Sequence, residues 1–140
     1  MQIDTEHFDT CVATLGYALE KLKKTPESEN KLEYNMARSS CIKEFEIILE
    51  QGGKLLRKAL KPYFSNSAAV DKLNFKDLFR HSVLHGLMSV EESERWLEYR
   101  DSRNTTAHDY GADFAEKVLI FLPAFVNDAK NLSKILKAAK

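Results

Sequence analysis

Apolar residues recur along this chain at steps of three and four. Phe8, Val12, Leu15, Leu19 and Leu22 come first, and that spacing puts all five on one stripe of a helix. The polar run TPESEN, with Pro26, then makes a loop. A second segment, about Lys31 to Lys61, repeats the rhythm through Tyr34, Cys41, Phe45, Ile48, Leu55 and Ala59, with Gly52 falling in the seam. Some 30 residues of helix would be about 45 Å long at 1.5 Å per residue. Gly52 and Gly53 each cost up to about 1 kcal/mol of helix propensity relative to alanine, so a close approach of a neighbour or a bend is expected there. Pro62 stops the helix.

After a polar loop, SNSAAVDKLN, a shorter helix is predicted over about Phe75 to Leu87. Asn74 would cap its start, and Gly86 with Met88 and Ser89 would close it. Ser89 to Glu92 spells S-x-x-E, a capping box that opens the next helix, with Val90, Trp96, Leu97 and Ala107 as its apolar members. Asp113 to Glu116 spells a second box, D-x-x-E, at the start of the last helix. That helix carries Phe114, Val118, Phe121, Leu122, Phe125, Leu132 and Ile135. Pro123 lies inside it, where the loss of a backbone donor predicts a kink. No segment alternates with period two. The pattern predicts an all-α, up-and-down four-helix bundle with an additional short helix, formed by residues 1–140 as a single domain.

Composition narrows the possibilities. The 140 residues are 44% hydrophobic and 30% charged, with 5 Gly and 3 Pro, which suits one globular domain of long helices. The 21 basic and 21 acidic residues cancel, so no global field draws the protein to nucleic acid or membrane, and RNA contact would need a local patch. Cys11 and Cys41 have neither metal-ligand spacing nor a disulfide-framework count and fall on apolar faces, as buried thiols of a reducing compartment would. Without a signal peptide or an apolar run of about 18 residues, a cytoplasmic, non-membrane protein is expected.

The chemistry gathers in RDSRNTTAHDYG, residues 100–111. On a continuous helix Asn104 and His108 share a face, whereas Arg103 and His108 lie about 140° apart. The two converge if the helix ends near His108, which Gly111 favours, or if two copies pair across a dimer axis. An arginine that holds a phosphate and a histidine that moves a proton are sufficient elements for cutting RNA through its own 2′-hydroxyl. Asn104 would orient the phosphate or the histidine. The same residues also suit a polar helix end, where Arg and His offset the dipole.

The string RNTTAHDY resembles the R-x4-H-x-Y signature of HEPN-domain proteins, in the branch paired with minimal nucleotidyltransferases. KEFEIILEQGGKLLRKALKPYF is similar to that branch's second helix, and DLFRHSVLHGLMSVEESERWLEYRDSRN to its run into the motif. One departure is Gly53, where many relatives carry tryptophan. The resemblance implies a homodimer with both motifs lining one cleft, and an endoribonuclease toxin needing neither metal nor cofactor. Arg103, His108 and Asn104 would be its catalytic residues and RNA its substrate. It further implies a cognate minimal nucleotidyltransferase antitoxin that silences the nuclease by transferring AMP to Tyr110. Another reading of the branch makes it the non-catalytic, nucleotide- or substrate-binding subunit of a two-component nucleotidyltransferase.

Three further features carry weaker signals. Lys54, Arg57, Lys58 and Lys61 form a basic stripe able to meet RNA phosphates or an acidic partner, or simply water. His81 and His85 have the spacing of a two-histidine metal site, but no carboxylate or cysteine set accompanies them, and a polar helix face is expected instead. Trp96 and Tyr99, with Leu97 nearby, suit core or dimer packing better than base stacking.

Overall fold

The computed structural model describes residues 2–106 and 112–139, without the side chains of residues 104–106 and 112–115. Among the described residues six α-helices follow one another: α1 (Glu6–Lys24), α2 (Lys31–Leu60), α3 (Ser67–Asp71), α4 (Phe75–Leu84), α5 (Val90–Thr106) and α6 (Ala112–Ala138). No strand occurs among the described residues. The four long helices form the expected up-and-down bundle, with α3 and α4 as short additions. Side-chain contacts set the directions. Asp9 meets Ser133, so α1 runs against α6. Phe45 packs on Phe121 and Phe125 while Gly52 approaches Leu132, so α2 and α6 run parallel.

The stripe on α1 is buried along its whole length, and Cys41, Phe45, Ile48, Gly52, Leu55 and Ala59 of α2 face the same core. Its centre is aromatic. The Phe45 and Phe125 rings lie 4.8 Å apart, nearly edge to face at 76°, the arrangement that ring quadrupoles favour. Cys11 and Cys41 are free thiols inside it.

Local rules account for most helix ends. Asn30 caps α2 by accepting from the Glu33 amide, and a 3₁₀ turn at Lys61–Tyr63, containing Pro62, ends it. Asn74 and Asp77 form a complete capping box on α4. That helix ends at Leu84, earlier than the apolar spacing predicts. Gly86 takes φ +74, its amide bonds Val83 O and the Leu87 amide bonds Ser82 O. Those two bonds make a Schellman motif, which satisfies the last carbonyls and turns the chain away before Leu87 can join the helix. Ser89 caps α5 through the Glu92 amide at 3.1 Å. Helix α6 begins at Ala112, so the D-x-x-E box falls in its first turn, where the Asp113 side chain lies outside the described residues. Pro123 sits inside α6 without ending it.

The stretch expected to be an unbroken loop contains α3. Asn66 caps it through the Ala69 amide, Val70 is buried beneath it, and Arg57 Nη1 donates to Val70 O at 2.6 Å. One buried side chain and one long-range bond hold a helix too short to persist alone.

Candidate functional site

Helix α5 carries Arg103, the first residue of the motif. Trp96 is its main anchor, fully buried. Its ring stacks on Phe79 at 5.4 Å and meets Phe125 and Tyr99 edge-on at 5.4 and 5.7 Å. Tyr99 is buried too, against Phe121 and Phe125. Both rings are therefore core. Closer to the motif, the Arg100 guanidinium lies 5.0 Å over Phe75, a cation–π contact. Phe75 in turn fills the space beside Gly53, where an added Cβ would sit 3.4 Å from the ring. Phenylalanine from α4 thus occupies the room that a larger side chain at position 53 would need.

Arg103 sits on the last turn of α5, half-buried. Asn104 lies on the same turn, its side chain outside the described residues. His108 and Tyr110 also lie outside the described residues, so the convergence of Arg103 with His108 stays an expectation from sequence.

Sequence reasoning missed the polar contacts that hold α5 to α6. Arg95 donates Nε and Nη2 to the two carboxylate oxygens of Asp128 at 2.9 and 2.8 Å. The Tyr99 hydroxyl donates to Asp128 Oδ2 at 2.5 Å, and Asn131 donates to Glu92 Oε2 at 2.5 Å. Asp128 is buried. Burial, and then the adjoining Asp128 carboxylate, push the Tyr99 phenol well above its ordinary value. The hydrogen bond to Asp128 raises Arg95 in turn, against its own partial burial. Asp128 stands 33 residues from Arg95, a separation that no local spacing rule links.

The basic stripe is divided. Lys54 pairs with Glu50 at 3.4 Å in an exposed i,i+4 contact, a kind worth a few tenths of a kcal/mol. Arg57 is engaged with Val70 O, while Lys58 and Lys61 are exposed. His81 and His85 differ from the polar face expected of them. Their rings stack on one another at 6.1 Å, His85 stacks on Tyr63 at 4.3 Å and His81 tilts against Phe64 at 5.1 Å. The pair belongs to an aromatic cluster that pins the turn after α2. Among the described residues no three His, Cys, Asp or Glu side chains gather into a metal-binding group, and no helix is long and apolar enough to cross a membrane.

A helical bundle of this topology, with Arg103 on the last turn of its penultimate helix, defines a class that comparison makes specific. The model of the family described as nucleotidyltransferase substrate binding protein like matches residues 11–138, and the chain belongs to that family. A Haemophilus influenzae protein named probable ribonuclease HepT is 27% identical over 99 residues, which cover 71% of this chain and 66% of that protein, just under two thirds of its length. A solved H. influenzae structure, described as revealing the fold of a substrate-binding domain of a nucleotidyltransferase, superposes with a TM-score of 0.80. It is 22% identical, and the match covers 95% of this chain and 98% of that one. A structure from Thermus thermophilus gives a TM-score of 0.63 at 23% identity, covering 88% of this chain and 98% of that one. At those identities the two structures speak for the fold.

Proposed function

We propose that this chain is a HEPN-type toxin, a cytoplasmic endoribonuclease that needs no metal and is neutralised by a cognate minimal nucleotidyltransferase. The observation that carries the reading is the R-x4-H-x-Y string, which opens with Arg103 on the last turn of a helix anchored in the core. In this reading His108 takes the proton from an RNA 2′-hydroxyl, whose oxygen attacks the adjacent phosphorus. The bond to the 5′ oxygen breaks and that oxygen is protonated as it leaves, giving a 2′,3′-cyclic phosphate end and a 5′-hydroxyl end. Arg103 holds the phosphate and offsets the charge that grows on it. Asn104 orients the group, and a homodimer brings two motifs to one cleft. The name of the H. influenzae relative supports the nuclease.

Silencing is by group transfer. The Tyr110 hydroxyl attacks the α-phosphorus of ATP in the partner's site, pyrophosphate leaves, and AMP remains on the phenol oxygen. The family's description supports a nucleotidyltransferase as that partner. It also favours the second reading, a non-catalytic subunit that presents a nucleotide or acceptor to the transferase, in which Arg103 and His108 bind phosphate without chemistry.

Incubating purified protein with RNA in EDTA separates the two. Cleavage leaving cyclic phosphate ends is expected. No cleavage at any protein concentration, alongside tight binding to a minimal nucleotidyltransferase, would establish the binding subunit instead.

A further inference from the structure

One carboxylate of α6 holds two successive turns of α5. Asp128 accepts twice from Arg95 and once from Tyr99. Continuing by the same interval of four residues, the next position on α5 is Arg103. Steps of four drift by only about 40° around a helix, so residues 95, 99 and 103 follow one slowly turning stripe. Ring packing already restrains α5 against α6. Three directional bonds on one buried carboxylate add a second restraint, on the rotation and axial register of α5. Asp128 is buried whereas the Arg95 side chain is 43% exposed, so the ion pair by itself adds little net stability, and it stands two turns before Arg103 with Tyr99 between them. A small rotation at Tyr99 displaces the far end of a side chain as long as arginine's by much more.

We infer that Asp128, through Arg95 and Tyr99, is a positioning residue for the motif, setting the rotation of α5 that presents Arg103 to its phosphate. The inference rests on the nuclease reading for its catalytic consequence, but its structural content can be measured separately. Tyr99→Phe deletes one hydroxyl and keeps the ring. Asp128→Asn keeps the shape and an acceptor but removes the charge. Asp9→Asn is the control, because Asp9 ties α1 to α6 through Ser133 and Lys137.

Two readouts are taken at a temperature where melting curves show every variant folded. The first is RNA cleavage. The second is the ¹⁵N–¹H resonance of the Arg103 side-chain Nε, identified by its loss in Arg103→Lys. In Tyr99→Phe and Asp128→Asn, kcat should fall about tenfold to a hundredfold with KM kept within about twofold, the signature of a misplaced group. The Arg103 resonance should shift or broaden in both, and Asp9→Asn should change neither readout. An unmoved Arg103 resonance with unchanged kcat would overturn the inference, and so would equal effects in Asp9→Asn. If wild type cleaves no RNA, the nuclease reading falls and the resonance alone decides. If Asp128→Asn does not fold, Tyr99→Phe decides.

Discussion

The Tyr99 hydroxyl donates to Asp128 at 2.5 Å, and Arg95 grips the same carboxylate with two nitrogens. Removing the hydroxyl leaves Asp128 bonded to Arg95, so Tyr99→Phe should cost about 1 kcal/mol of unfolding free energy. Arg95→Met leaves a buried carboxylate with the phenol as its remaining partner among these three, and should cost more, about 2–3 kcal/mol. Urea unfolding of the three proteins checks the order. Equal stability of wild type and Arg95→Met would mean that the clamp is dispensable to the fold.

The same phenol gives the protein an alkaline limit. Its folded-state value is raised above the ordinary 10.0, by burial first and by Asp128 second. Above pH 10 the unfolded chain therefore releases a proton that the folded one keeps, and stability declines as pH rises. The contribution is fully present below pH 10. Unfolding free energies from pH 8 to 11.5 should fall more steeply in wild type than in Tyr99→Phe. Parallel curves would contradict this.

Cys41 is buried, and burial pushes its thiol up to about 11. Cys11 is raised as well, by burial and then by nearby Glu44. Because the thiolate is the reactive form, both should resist thiol reagents at pH 8 in the native protein and react at once in denaturant. Fast labelling of the folded chain would contradict their placement.

Adjacent glycines in α2 should respond differently to the same change. At Gly53 an added Cβ meets Phe75 at 3.4 Å, an ordinary contact, whereas at Gly52 it lies 3.1 Å from Leu132 Cδ2. Gly53→Ala should stabilise by about 0.5–1 kcal/mol through helix propensity. Gly52→Ala should lose most of that gain, and Gly52→Leu should destabilise by about 1–3 kcal/mol through overpacking. Thermal melts of the three variants test the ranking.

What the sequence reveals here depends on how local the cause is. The buried stripe of α1, the Asn74 cap and the Ser89 cap follow from rules that span four residues, and each is present. Helix α3 is not legible because its support is long-range: a buried Val70 and a bond from Arg57, 13 residues away. The Asp128 clamp is invisible for the same reason. Histidine spacing at 81 and 85 suggests a polar face because the aromatic partners, Tyr63 and Phe64, lie on another element. The motif itself is legible only through resemblance, since an arginine and a histidine five residues apart also suit an ordinary helix end. Structure adds the place of Arg103 on α5, while His108 and Tyr110 fall outside the described residues.

Whether Arg103 and His108 carry out metal-independent RNA cleavage is decided by incubating wild type, Arg103→Ala and His108→Ala with RNA in EDTA. Wild type should cut RNA without added metal, and each substitution should reduce the rate by about 10²- to 10⁴-fold, the range for loss of a proton-transfer group or a charge-stabilising one. Cleavage that continues at the wild-type rate in both variants would exclude these two side chains from the reaction.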